Sequence, residues 1–170
     1  LNTPDLWHEE VGAVIRAKLL SNGGHYAPRN ARYDWLTMNH FADISDPTGF
    51  AVTVSNWDNL FMRFGESTVT NLDTTQPQLR ILAGGQVDGP SLGIQNQGGD
   101  NYFLQRFALA THSTYNQTSA MKMSLEHQNP FVTGMIEGSG FRERSYPSDT
   151  FSFLTISDPN VLLWALKPAE

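Results

Sequence analysis

The chain has no cysteine among its 170 residues. That excludes disulfides, thiol catalysis and cysteine-ligated zinc, and it leaves the redox compartment open. Charge is scarce as well: Asp, Glu, Lys and Arg make up 16% of the residues, so the surface must rely on Asn, Gln, Ser and Thr. Basic residues are the rarer sign, 11 against 17 acidic ones, for a net charge of −6. Nucleic acid and anionic membrane surfaces both demand clustered Lys and Arg, so neither is an expected partner. No stretch approaches the roughly 18 apolar residues of a membrane span. No repeat, low-complexity tract or linker is visible, and residues 1–10 lack the charged-then-apolar pattern of a leader. The length suits one sizeable domain, read as 1–170.

What the chain does have is short apolar runs between turn residues. Residues 1–10 are polar, with weak support for a short helix. Residues 11–20 (VGAVIRAKLL) fit a strand with Arg16 and Lys18 on the wet face, and fit a short helix almost as well. Residues 34–45 (DWLTMNHFADIS) alternate, and Leu36, Met38 and Ala42 mark the inner face. The turn Asp46-Pro47-Thr48-Gly49 leads to a strand at 50–55 (FAVTVS), with Phe50, Val52 and Val54 on one face. The turn Asn56-Trp57-Asp58-Asn59 leads to a strand at 60–64. These pieces predict a β-meander. Residues 78–83, 101–112, 131–136, 151–156 and 161–166 read as further strands. The last hardly alternates, as expected of a strand covered on both faces. Residues 84–100 and 138–148 read as loops, and 119–128 (SAMKMSLEHQ) fits either helix or strand. The expected fold is all-β, a large antiparallel β-sandwich.

Catalytic constellations are hard to find. His8, His25, His40, His112 and His127 show no metal-ligand spacing. Neither a nucleophile elbow nor a phosphate-cradling glycine loop occurs. Asp34 and Asp43 stand at opposite ends of one expected strand, roughly 30 Å apart at about 3.3 Å per residue, too far to cooperate in glycoside hydrolysis. Glu9 and Glu10 read as a solvated turn. Trp35 and Trp164 fall in strands and read as core. Trp57 is more suggestive. It lies in a turn beside Asp58 and Asn59, where a sugar could stack on the indole while the polar neighbours bond its hydroxyls. The alternative is a Trp that tucks under its turn. Asn116-Gln117-Thr118 fits the glycosylation acceptor pattern.

Several stretches, in order, resemble the C-terminal β domain of family 38 glycoside hydrolases, the α-mannosidases. They are 32–43 (RYDWLTMNHFAD), 49–56 (GFAVTVSN), 103–112, with Thr111 where the family has Pro, 153–157, and 161–170. The most specific is the closing ALKPAE at 165–170.

The resemblance implies a galactose mutarotase-like supersandwich, of which this chain is a fragment continuing into a further strand beyond Glu170. It implies retaining hydrolysis of α-mannosides by the parent protein. The zinc ligands and Asp nucleophile belong to a separate N-terminal barrel, and none of those motifs occurs here. No cofactor is therefore expected in this chain. The expected partners are the catalytic domain of the parent protein and mannose-containing glycans. The expected role is non-catalytic: scaffold for the barrel, with glycan contact at Trp57, Asp58 and Asn59. Two alternatives stay open. One is an independent carbohydrate-binding module. The other is a small sandwich-fold sugar epimerase, for which His40, His112 and Glu137 are the residues to inspect.

Overall fold

A computed structural model describes residues 4–29, 31–82, 102, 104–134 and 152–167. The chain divides into two compact units, Leu1–Asn129 and Pro130–Glu170. In the first unit the strands are β1 (Asp5–Glu10), β2 (Ala13–Arg16), β3 (Leu36–Thr37), β4 (Phe41–Asp46), β5 (Phe50–Asn56), β6 (Phe61–Phe64), β7 (Leu79–Ile81) and β8 (Phe107–His112), followed by helix α1 (Gln117–Gln128). They form two antiparallel sheets, ordered β2-β1-β4-β5-β8 and β3-β6-β7. The protein is all-β in class, with sandwich-like layering.

The first hairpin corrects two expectations. Residues 5–10 are a strand and not a short helix, and residues 11–20 open on a turn. Glu10 faces Ala13 across the two-residue loop Val11-Gly12. Both loop residues have positive φ, 47° and 83°, the geometry that matches the twist of two paired strands. The strand was masked by its polarity: His8 and Glu9 are fully buried.

The 34–45 stretch also behaves differently from a single strand. Its first part, β3, joins the small sheet and its second, β4, joins the large one. Between them the backbone is tied to three neighbours, through Met38 N to Leu60 O at 2.7 Å, Asn39 N to Glu9 O at 3.1 Å and Asn56 N to His40 O at 3.0 Å. The expected meander forms only in its first hairpin, β4–β5, because β6 pairs with β3 and β7 in the other sheet. Asp46 Oδ1 accepts from Thr48 N at 2.7 Å, and Gly49 donates back to Asp46 O at 3.0 Å with φ of 99°.

The apolar core lies between the sheets. Leu6 and Ala42 of the large sheet join Leu36, Met62 and Phe64 of the small one, with Met38 and Ala17 fully buried in the same cluster. Leu36, Met38 and Ala42 are thus the inward residues their alternation marked. Each large side chain buried here contributes about 1.5–3 kcal/mol.

The opposite face of the large sheet is polar and buried. Asp43, Thr53 and Ser55 lie there beside Phe41 and Ala51, and α1 packs on β4, β5 and β8. Asn116 caps α1, accepting from Ser119 N at 2.8 Å, so the ambiguous 119–128 segment resolves as helix. Its buried residues, Ala120 and Ser124, are small. Phe50, Val52 and Val54 do share a face, but Phe50 is 61% exposed while Ala51 on the other face is buried.

The second unit corrects the expected closing strands. Its described residues, 130–134 and 152–167, contain neither strand nor helix. The Asp158–Asn160 turn forms, with Asn160 N donating to Asp158 Oδ1 at 2.8 Å. Its flanking runs stay unpaired in any sheet, and Trp164 is 58% exposed, so the reading of 161–166 as a doubly covered strand and of Trp164 as core fails. A run of β-formers becomes a strand only when a neighbour takes its backbone groups and a layer covers its side chains. The loops read at 84–100 and 138–148 lie outside the described residues, as do Glu137, Ile136 and residues 168–170 of the closing hexapeptide.

Candidate functional site

Three places bring chemistry-bearing side chains together. The first is the β5–β6 turn. Asn56 organises it, donating from Nδ2 to Met38 O at 3.0 Å and accepting from Asn59 N at 2.7 Å. Asn59 is buried and uses its own Oδ1 to accept from Phe61 N at 2.9 Å. Its Nδ2 is buried without a partner. Asp58 is held by Arg106, which donates from its backbone N–H, Nε and Nη2 at 2.9, 2.9 and 2.6 Å. Those bonds keep the Asp58 carboxyl below the usual range. The same guanidinium sits 3.9 Å from the centre of the Trp57 ring, a cation–π contact. The indole also meets His127 of α1 edge-on at 5.6 Å. Trp57, Asp58 and Asn59 are therefore gathered in one turn, with Arg106 against the indole and the carboxylate alike.

The second place is the polar face under α1, where two carboxylates are fully buried. Asp43 Oδ2 pairs with His112 Nε2 at 2.7 Å and accepts from Thr53 Oγ1 at 2.6 Å. Its Oδ1 accepts from Ser45 Oγ at 2.5 Å. His112 Nδ1 in turn lies 3.0 Å from Thr114 O. Glu9 pairs through Oε2 with His40 Nδ1 at 2.7 Å and through Oε1 with the Gly12 N–H. Glu9 is thus no solvated turn residue. It anchors its own hairpin. His40 and His112 each belong to a different carboxylate, and Glu137 lies outside the described residues. Asp34 is occupied separately, by Arg32 at 2.6 Å. Among the described residues no group of three or more His, Cys, Asp or Glu could hold a metal ion.

The third place is a cavity of about 390 Å3 beside the first hairpin, lined by residues of β1, β2, the β4–β5 turn and the 113–115 segment. Arg16 grips Asp5 from Nε at 2.8 Å and Nη2 at 3.1 Å, and Lys18 Nζ reaches the same carboxylate at 3.0 Å. Burial pushes Asp5 up, but the Arg16 and Lys18 bonds outweigh it and hold the carboxyl below its ordinary value. Trp7 donates from Nε1 to Asp5 at 3.1 Å and stacks on Tyr115 with ring centres 4.8 Å apart and planes 13° apart. The Tyr115 hydroxyl is buried and has no hydrogen-bond partner. Burial pushes its phenol up, and the negative charges of Asp43 and Asp5 push it further. Reasoning on the sequence missed this cluster because its members come from three distant segments. The single local signal was the i, i+2 pair Arg16 and Lys18.

No family model, curated protein or solved structure matches the chain.

Proposed function

We propose that this chain is a non-catalytic β-sandwich region of an α-mannosidase-like glycoside hydrolase, supporting the catalytic barrel and contacting glycan. The observation that carries this reading is the part of the core-side face of the large sheet that the described strands of the first unit leave uncovered. There Leu109 and Phe50 are 71% and 61% exposed and Phe107 is 37% exposed. Leu109 and Phe107 are i, i+2 neighbours on β8, and Phe50 stands on the same face of β5; exposed apolar groups on one sheet face suit the docking of another layer. On the ordered sequence resemblance, we assign that layer to the barrel of the parent enzyme. The non-catalytic role is supported by the two buried carboxylates. Asp43 and Glu9 spend both oxygens on internal donors, so neither stands ready to protonate a glycosidic oxygen or to attack an anomeric carbon.

The test is turnover. The purified chain is expected to leave an aryl α-mannoside intact and to bind no stoichiometric zinc. Hydrolysis that survives purification and is lost on substituting a residue of this chain would overturn the reading. The independent carbohydrate-binding module remains the second reading, favoured by the cavity beside the first hairpin. A glycan array with the isolated chain separates a high-affinity module from a scaffold.

A further inference from the structure

The cavity beside the first hairpin has polar walls that the scaffold role does not use. We propose that it binds the hydroxyls of a neutral hexopyranoside, between the Asp5–Lys18 ion pair and Tyr115. The proposal rests on the glycoside-hydrolase reading for the choice of mannose as the sugar.

Charge balance argues for a neutral ligand. The walls carry two cations, Arg16 and Lys18, and two carboxylates, Asp5 and Asp46. Arg16 has little left to offer an anion, since Nε and Nη2 are on Asp5 and Nη1 is on Gly23 O at 3.2 Å. A sugar hydroxyl both donates and accepts. A carboxylate and an ammonium 3.0 Å apart present an acceptor and a donor side by side, as neighbouring ring hydroxyls require. Lys18 keeps further N–H donors beyond the one aimed at Asp5. The volume, about 390 Å3, is within the range of small-molecule sites.

Tyr115 is the second, independent observation. Buried polar groups in native proteins are nearly always paired, and one that is not calls for a reason. The Tyr115 hydroxyl is buried and unpaired, and Tyr115 lines the cavity. Its ring is fixed in place by the Trp7 stack, and Trp7 is fixed in turn by Asp5 below one edge and by Arg16, whose guanidinium carbon is 5.5 Å from the ring centre. A small shift of the phenol toward the cavity would let a ligand hydroxyl supply the missing partner.

The experiment is a titration of the full chain with methyl α-D-mannopyranoside, followed by backbone amide resonances, with inorganic phosphate as a second probe. Saturable shifts are expected at Lys18, Thr114 and Tyr115. Tyr115→Phe should leave the urea midpoint unchanged or raise it, while weakening saccharide binding at least fivefold. Lys18→Gln should weaken binding similarly. Shifts confined to residues 57–59, tighter binding of phosphate at the same resonances, or the absence of saturable shifts would each overturn the cavity as a saccharide site. None of those results touches the scaffold reading, which is decided by the aryl mannoside assay.

Discussion

His8 shows how one side chain can be polar, buried and well placed at once. It is fully buried, with Nδ1 2.7 Å from Thr37 O and Nε2 2.9 Å from the Tyr26 hydroxyl. A carbonyl can only accept, so Nδ1 carries the proton and the Tyr26 hydroxyl donates to Nε2. That arrangement suits the neutral ring. Burial pushes the imidazole below its ordinary value of 6.5, against smaller opposite effects of the Thr37 carbonyl, Glu10 and Glu9. The folded pKa is below the unfolded one, so the unfolded chain binds the proton first. This contribution to stability is complete above about pH 6.5 and is lost as pH falls from there through the folded value. The urea midpoint is therefore expected to drop between pH 7.5 and pH 5. His8→Asn should lower the midpoint at both ends and flatten the slope between them. An undiminished slope in that variant would assign the pH dependence to another group.

At the scale of elements, the first hairpin carries a local conflict. Its turn needs two residues with positive φ. Gly12 meets that requirement freely, but Val11 sits at φ 47°, a region that costs a β-branched residue roughly 1–2 kcal/mol. Val11 is 82% exposed, so packing gives little back. Asn-Gly is the pair this turn prefers. Val11→Asn is expected to raise stability by about 1 kcal/mol in urea unfolding, and a loss of stability would mean that the valine makes up the strain through its neighbours.

The same hairpin explains what a reader of the sequence could and could not see. Strand β5 was legible because its alternation is strict and its flanking turns carry Asp-Pro and Asn-Asp chemistry. Strand β1 was not, because its inward residues include His8 and Glu9, which pattern analysis takes for solvent-facing ones. The split of the 34–45 stretch between two sheets was hidden because its residue pattern alternates without a break, although the backbone bends at Asn39 and His40 where the partners change. Helix α1 was ambiguous because it packs on Thr53, Ser55 and Asp43 with Ala120 and Ser124, and so shows no apolar stripe. Of the chemistry, the Trp57 turn could be read locally. The pairing of His112 with Asp43, and of Tyr115 with Trp7, needed the register of β1, β4, β5 and β8, which no single stretch encodes.

At the scale of the molecule, the balance of covered and uncovered apolar surface decides behaviour in solution. The three-stranded sheet covers the core side of β1 and β4, where Leu6 and Ala42 are fully buried. Beyond them the same face continues to Leu109 and Phe107 on β8, which is the last strand in the order of its sheet among the described residues. An apolar face beside a terminal strand offers both side chains and backbone groups to a neighbour. With the proposed barrel absent, a second copy of the chain can occupy the face that the described strands of the first unit leave uncovered, and the net charge of −6 opposes it only weakly at physiological salt. Sedimentation velocity is expected to show concentration-dependent association. Leu109→Asp places a charge on the exposed face and should weaken association at least tenfold, or about 1.4 kcal/mol. Because Leu109 is 71% exposed, circular dichroism and the urea midpoint should stay within about 0.5 kcal/mol of the parent chain. A parent chain that sediments as a monomer at every concentration would remove the uncovered face as the support for the scaffold reading.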